Sequence, residues 1–441
     1  MKITLWGINY APESIGIAPF NRELSEYLAE GGHDVTVVTS FPYYPHWQKT
    51  AEDRGRWHRA ESIGGVSVHR CWCYVPKVVT SLRRIAHELS FGLVSTLRVL
   101  ALPRSDIYLV VSPPLVLGFF AWIATRLKRS RFVFHVQDLQ PDAALGLGMI
   151  QPGRLLRALY ALESFAYAKA AMVSGISHGM ILAFRQKGVP LAKEMLLPNW
   201  LRRPNQAMPE LQGRAEARRM FGAAVGTLLA IYSGNLGRKQ SLEILIEAAA
   251  LLQSLPRADA AKVQIIIAGD GAARPDLERC LRANPGVRVQ LLPLLSDEHY
   301  GDLLTAADVA LITQSPGTGQ FFFPSKLLSV LVAGLPVVAV ADEDSELAQA
   351  VRVGGFGRTV EPGDALGLAA VLRSLSASES QLASWARRTE WVRQFSREII
   401  LPRFAHMLVA ATRPPSPGPV AVALPALVAE PAPLPDAPIT G

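Results

Sequence analysis

The chain has 441 residues, 49% hydrophobic and 19% charged, a balance that excludes a disordered or fibrous class and is long enough for two cores. Its three cysteines, Cys71, Cys73 and Cys280, exclude a disulfide framework, and no second Cys/His pair stands near Cys71-Trp72-Cys73 at zinc spacing, so they read as thiols in a reducing compartment. The formal net charge of +8 is lopsided: residues 1–200 hold 22 Lys/Arg against 14 Asp/Glu, whereas residues 201–441 hold 23 against 23. A basic half points to an anionic partner, and the lack of an aromatic RNA-binding motif or helix-turn-helix argues against nucleic acid.

Lys2–Ile8 reads as a strand and lacks the regions of a signal peptide, so export is not expected. A helix follows with Phe20, Leu24, Tyr27 and Leu28 on one face; Gly31-Gly32 ends it, and Asp34 opens the next strand. This βαβ unit implies a right-handed parallel sheet. Leu82, Ile85, Leu89, Leu93 and Leu97 form an apolar stripe among Arg83, Arg84, Arg98 and Arg104. Such a stripe either rests on anionic lipid or packs inward with its arginines solvated. Residues 107–125 carry no charge, but Pro113-Pro114 interrupts them, so strand, turn and helix are expected there rather than a membrane span.

Further strands are expected at Arg131–Val136 and Ala171–Val173, with His135 as a core histidine. From about residue 201 to 225 the chain is Arg/Pro-rich and aperiodic, as a linker would be. The alternation then restarts: strand Leu228–Tyr232, helix Leu242–Leu252, and strands Val263–Ala268, Val287–Leu291, Val309–Ile312 and Pro336–Val340. The reading is α/β throughout, two Rossmann-like doubly wound domains facing a cleft, residues 1–200 and 226–380. A helical segment at 381–412 and a Pro/Ala-rich tail at 413–441, expected to be disordered, complete the chain.

In such sheets ligands bind at the carboxyl ends of the strands, and four loops hold that position. Asn9 to Gly16 follows the first strand, where Gly16 permits close backbone approach; it is not the dinucleotide G-x-G-x-x-G. Ser233-Gly234-Asn235-Leu236-Gly237-Arg238-Lys239-Gln240 offers small residues and two cations, an expected pyrophosphate cradle at a helix N-terminus, without a Walker loop. Gly317 to Lys326 leads into a helix, with Ser325 and Lys326 placed to meet an anion. Gln137-Asp138 puts an amide and a carboxylate where they can orient a sugar hydroxyl, with helix capping by Asp138 as the competing role. Asp342-Glu343-Asp344 mimics a D-x-D metal motif but reads as a loop, and no metal is expected.

Asn9-Tyr10-Ala11-Pro12-Glu13 with Gly16, Gln137 to Asp142, Leu197-Pro198-Asn199-Trp200, Tyr232 to Gly237, Ala268-Gly269-Asp270-Gly271, and Pro324-Ser325-Lys326-Leu327 before Ala333-Gly334-Leu335-Pro336 occur in order over residues 1–400. Together they resemble the family-4 retaining glycosyltransferases of GT-B fold, in their bacterial polysaccharide branch. The resemblance implies that a helix near 385–410 returns to the first domain. It implies donor-binding roles for Gly16, Asn235, Arg238, Lys239, Gly269, Asp270, Gly271, Ser325 and Lys326, with Gln137, Asp138 and Lys239 catalytic. Its activity would be metal-independent transfer, with retention, from a nucleoside diphosphate sugar to a lipid-linked saccharide at the inner membrane face. Two departures stand out: Phe321 and Ser329 occupy the places of the family's E-x7-E glutamates, and Asn235 replaces a phosphate-binding arginine. A sugar-nucleotide epimerase and a catalytically silent partner of a polysaccharide assembly complex fit the same loops.

Overall fold

A computed structural model describes residues 1–146, 150–201, 211–254, 262–317, 325–386 and 389–413. They fall into two compact units, one within residues 1–201 and 393–413, the other within 211–317 and 326–392. The first unit holds β1 (Lys2–Trp6), α1 (Ala18–Glu30), β2 (Asp34–Ser40), β3 (His58–Ile63), β4 (Val66–Cys71), α2 (Ser81–Ala101), β5 (Ile107–Ser112), α3 (Leu117–Leu127), β6 (Arg131–Val136), α4 (Gln140–Gly146), α5 (Arg154–Lys169), β7 (Met172–Gly175), α6 (His178–Gln186) and β8 (Glu194–Leu196). The second holds α7 (Leu211–Met220), β9 (Leu228–Ser233), α8 (Glu243–Ser254), β10 (Val263–Ala268), α9 (Arg274–Ala283), β11 (Val289–Leu292), α10 (Asp297–Ala306), β12 (Val309–Thr313), α11 (Ser325–Val332), β13 (Val337–Val340), α12 (Glu346–Gly354), β14 (Gly357–Val360), α13 (Ala365–Ser376) and α14 (Glu379–Ala386). The last helix, α15 (Arg397–Thr412), belongs to the first unit.

The first sheet runs β3-β4-β2-β1-β5-β6-β7-β8 and the second β11-β10-β9-β12-β13-β14. All pairings are parallel except β3 with β4. β5 (IYLVVS) is buried along its whole length, as a strand covered on both faces must be. The apolar window at 107–125 is therefore β5, a turn and the start of α3, and no described helix is long and apolar enough to cross a membrane.

α15 turns Ile400, Leu401, Phe404, Met407, Leu408 and Ala411 into the first core, spacing that makes one helical stripe. Phe404 meets His135 at 5.1 Å and Trp200 at 5.8 Å between ring centroids. The returning helix is thus present, though it starts later than 381: α14 packs on α13 in the second unit. The expected linker is also shorter. α7 lies inside it, buries Ala217, and sends Arg218 to Asp308 at 2.9 Å, so it is part of the second unit. Residues 202–210 and the expected tail from 414 onward lie outside the described residues.

Candidate functional site

In the second sheet β9 is flanked by β10 on one side and β12 on the other, so loops leaving β9 and β12 part at a topological switch point. The loop after β9 is locked to the loop after β10 by backbone alone. Gly234 N–H donates to Ala268 O at 2.8 Å, Leu236 N–H to Asp270 O at 2.9 Å, and Ala273 N–H to Leu236 O at 2.8 Å. This approach requires glycine. Gly269 has φ +149, and a Cβ on it would lie 1.8 Å from Gly234 O; one on Gly271 would lie 2.5 Å from Leu236 O and 2.7 Å from Asn235 Oδ1. Gly269 and Gly271 are therefore walls that hold the loop. The Asp270 carboxylate is exposed and turns back onto Gly271 N–H at 2.8 Å.

Arg238 and Lys239 do not stand at a helix N-terminus as expected. Arg238–Gln240 is a single 3-10 turn, Ser241 follows with φ +45, and α8 begins only at Glu243, because this left-handed residue redirects the chain first. The turn is pinned instead to the end of β12. Ser315 N–H donates to Lys239 O at 2.8 Å, Ser315 Oγ donates to Arg238 O at 3.0 Å, and the Ser241 and Ser315 hydroxyls lie 2.7 Å apart. Arg238 is exposed and Lys239 half-buried.

Lys326, the second residue of α11, crosses the face of Gly234, where a Cβ would lie 2.5 Å from its Cε. Its ammonium sits 3.9 Å from the centre of the Tyr232 ring and donates to the Tyr232 hydroxyl, which donates to Asn235 O at 2.8 Å. Burial, and then the nearby positive charge of Lys239, lower the Lys326 pKa to about 7. Lys239 on the loop after β9 and Lys326 on α11, whose charges oppose each other, form a candidate site that an anion would relax. Gln240 Oε1 and, at the end of β12, Thr313 Oγ1 are buried without a hydrogen-bond partner. Ser325 heads α11, while residues 318–324, with Phe321 and most of the expected third loop, lie outside the described residues.

The first unit collects different chemistry at its strand ends. Glu13 is buried and accepts from Tyr43 N–H at 3.0 Å, Tyr44 N–H at 2.9 Å and Asn9 Nδ2 at 2.9 Å. Burial raises its pKa, opposed by those donors. Gly16, at φ +68, lies against Tyr44, whose ring edge would be 3.8 Å from a Cβ there. The Tyr44 hydroxyl pKa is raised by burial, lowered by Arg84, and raised by Glu13 and Asp138. Gly16, Tyr44, Arg84 and Asp138 are thus brought together. Beside them the rings of Tyr43, Trp47 and His87 pack edge-on or tilted with centroids 4.7–5.3 Å apart, an aromatic group that the run Tyr43-Tyr44-Pro45-His46-Trp47 signals but that sequence reading passed over.

Gln137 faces inward. It is buried, and its amide pairs reciprocally with Asn199, both bonds 3.1 Å, with Nε2 also 2.8 Å from His135 Nε2. His135, buried and with its pKa lowered to about 3, is the core histidine expected. Asn199 therefore fixes the loop that carries Asp138, while Asp142 is ion-paired with Lys187. Asp342 accepts from Gly317 N–H at 2.8 Å, the loop role expected of it.

Known families divide the chain in the same way. Residues 16–200 match the glycosyl transferase 4-like domain and residues 227–378 the glycosyl transferases group 1 domain. Over 417 residues the chain is 32% identical to the "Putative colanic acid biosynthesis glycosyl transferase WcaI" of Escherichia coli K12, covering 90% of this chain and all of the relative. The chain is a glycosyltransferase of this 4-like, group 1 family. It is also 25% identical to the "Probable glycosyltransferase WbjE" of Pseudomonas aeruginosa, over 68% of this chain and 74% of that one. Among solved structures, sucrose-phosphate synthase from Thermosynechococcus elongatus aligns with TM-score 0.71 at 17% identity, covering 93% of this glycosyltransferase and 98% of that chain. Anabaena HepE in complex with UDP-glucose aligns with TM-score 0.65 at 18% identity, covering 93% and 100%. At such identities these structures establish the fold, which is GT-B.

Proposed function

We propose that this glycosyltransferase moves a sugar, with retention, from a nucleoside diphosphate sugar to a lipid-linked saccharide in bacterial polysaccharide synthesis, at the inner face of the cytoplasmic membrane. The observation that carries the reading is the Lys239–Lys326 pair in its glycine-walled loop. As the bond from the anomeric carbon to the diphosphate breaks, negative charge grows on the departing phosphate oxygen, and two fixed ammonium groups stabilise it without a metal ion. The acceptor hydroxyl oxygen forms the new bond on the same face, and its proton passes to the leaving phosphate. Arg238, Asn235 and Ser325 would bind the donor beside these lysines, and Asp270 with its flanking glycines would border the nucleobase. Asp138 and Gly16 would meet the sugar, with Gln137 a positioning residue that acts through Asp138. HepE, solved with UDP and with UDP-glucose, and WcaI, named for colanic acid, are relatives consistent with such a donor and product.

The test is to incubate the enzyme with UDP-, GDP- and ADP-sugars in the presence and absence of extracted bacterial lipid, following diphosphate release and label in the lipid phase. Lipid-dependent release with label transfer is expected for one donor. Conversion of free nucleotide sugar without lipid would favour an epimerase, and nucleotide binding without any turnover a silent partner.

A further inference from the structure

α2 is amphipathic the wrong way round for a helix on a water-facing surface. The side it turns to the sheet carries His87, Ser95 and Thr96 along with Phe91, Gly92 and Val99. There Ser95 accepts from Trp6 Nε1 at 2.9 Å and donates to Phe91 O at 2.6 Å, and Thr96 Oγ1 donates to Gly92 O at 2.5 Å. The outer side carries Leu82, Leu89, Leu93 and Leu97, which are 77%, 45%, 56% and 62% exposed. Of the two readings of this stripe, inward packing is therefore excluded. From Leu82 to Leu97 the stripe runs roughly 22 Å along this 21-residue helix.

The apolar surface does not stop at α2. Gly92 lets Phe120 of α3 pack against α2, and Gly118 lets α3 close on Ala166 of α5. Phe119 and Trp122 of α3 and Phe165 of α5 then form one ring cluster, with centroids 5.1–6.1 Å apart, and Leu127 and Leu155 are exposed beside it. Lysines and arginines surround this face. Residues 77–170 hold twelve Lys/Arg against five Asp/Glu. Of those acids, Glu88 pairs with Arg84, Asp106 accepts from the Lys2 N–H, and Asp142 and Glu163 pair with Lys187. Lys77, Arg83, Arg104, Arg126, Arg129 and Arg157 stand exposed. Exposed leucines combined with aromatic rings and cationic side chains are the chemistry of a bilayer interface.

We propose that the outer face of α2, α3 and α5 seats the first unit on an anionic lipid leaflet, and that the N-terminal end of α2 brings the lipid-borne acceptor to the loops around Tyr44. The second half of this proposal rests on the reading of a lipid-linked acceptor; the docking itself does not. The geometry joins the two, because His87 packs edge-on against Tyr43 and Trp47, and Arg84 acts on Tyr44, from that same end of α2.

Co-sedimentation of the full chain with vesicles of phosphatidylethanolamine and phosphatidylglycerol tests it without any donor. Wild type is expected in the lipid pellet, with pure phosphatidylcholine or about 1 M salt weakening the partition. Leu89→Asp/Leu93→Asp should lower it by more than about tenfold, and Arg83→Gln by about fivefold, with melting temperature and nucleotide-induced thermal shift unchanged. The proposal is overturned if wild type ignores anionic vesicles, if the double variant partitions like wild type, or if sedimentation velocity shows a dimer that the double variant breaks, making the face a contact between copies. Vesicle binding without any nucleotide response would sink the transferase reading and leave the docking standing.

Discussion

The strand-end loops of the two units are built from different materials. In the second unit the site is backbone and charge: Gly234, Gly269 and Gly271 bring loops into contact no side chain would allow, and Lys239 and Lys326 repel each other within that frame. In the first unit it is side chains held by one buried carboxylate: Glu13 gathers the Tyr43 and Tyr44 amides, with the Tyr43 ring buried and Tyr44 half-buried beside it. Rigid amides and cations suit a diphosphate, whose charge is constant whatever sugar it carries. Aromatic faces and mixed-charge hydroxyl surroundings suit a saccharide, where selectivity is needed. The shared sheet architecture says little about either; the loops carry the difference.

Mutations should separate the two halves. The largest effect is expected for Gly269→Ala, which drives a Cβ into Gly234 O: nucleotide binding should vanish in calorimetry, and the second unit should lose about 2–4 kcal/mol by denaturant titration. Lys239→Ala should weaken nucleotide binding about 10- to 100-fold with little change in melting temperature, since one charged hydrogen bond is worth about 1.5–3 kcal/mol. Glu13→Ala leaves two buried amides unpaired and should raise the acceptor KM by about tenfold, while nucleotide affinity stays put. A matching loss of nucleotide affinity in Glu13→Ala would erase the contrast between the units.

The smallest effect is a pH dependence. The Lys326 pKa is lowered to about 7 in the protein, and a bound diphosphate favours its charged form, so binding takes up a proton. Nucleotide affinity should therefore be greatest below about pH 7 and fall by up to about tenfold per unit above it, a slope that Lys326→Met removes. For stability the sign is opposite. The unfolded chain binds the proton more tightly, so above pH 7 the fold gains stability as pH rises toward the ordinary lysine value of 10.5.

The sheets were legible where burial on both faces forces continuous apolar runs: Arg131–Val136 and Val263–Ala268 coincide with β6 and β10. The β3–β4 hairpin was not, because β3 alternates exposed and half-buried residues at a sheet edge and its sequence, HRAESI, carries three charge-capable side chains. Lys239 could be singled out as a candidate because cations after a strand and small residues are a local signal. The pairing of Lys326 with Tyr232 could not, since those residues lie 94 positions apart. Gln137 was ambiguous for a related reason: an amide next to an aspartate looks the same whether it faces outward or the core, and its pairing with Asn199, 62 residues on, shows it turned inward. The α2 stripe was equally two-sided until the sheet showed which side Ser95 and Thr96 occupy.

The central claim is that the glycine-walled loop with Lys239 and Lys326 binds the diphosphate of a nucleotide sugar. A thermal-shift screen of UDP, GDP, ADP and their common sugars against wild type and Lys239→Ala tests it most directly. The account predicts an upward shift for one nucleotide and its sugar in wild type, largely lost in the variant. No shift with any nucleotide at about millimolar concentration, or an equal shift in Lys239→Ala, would contradict it.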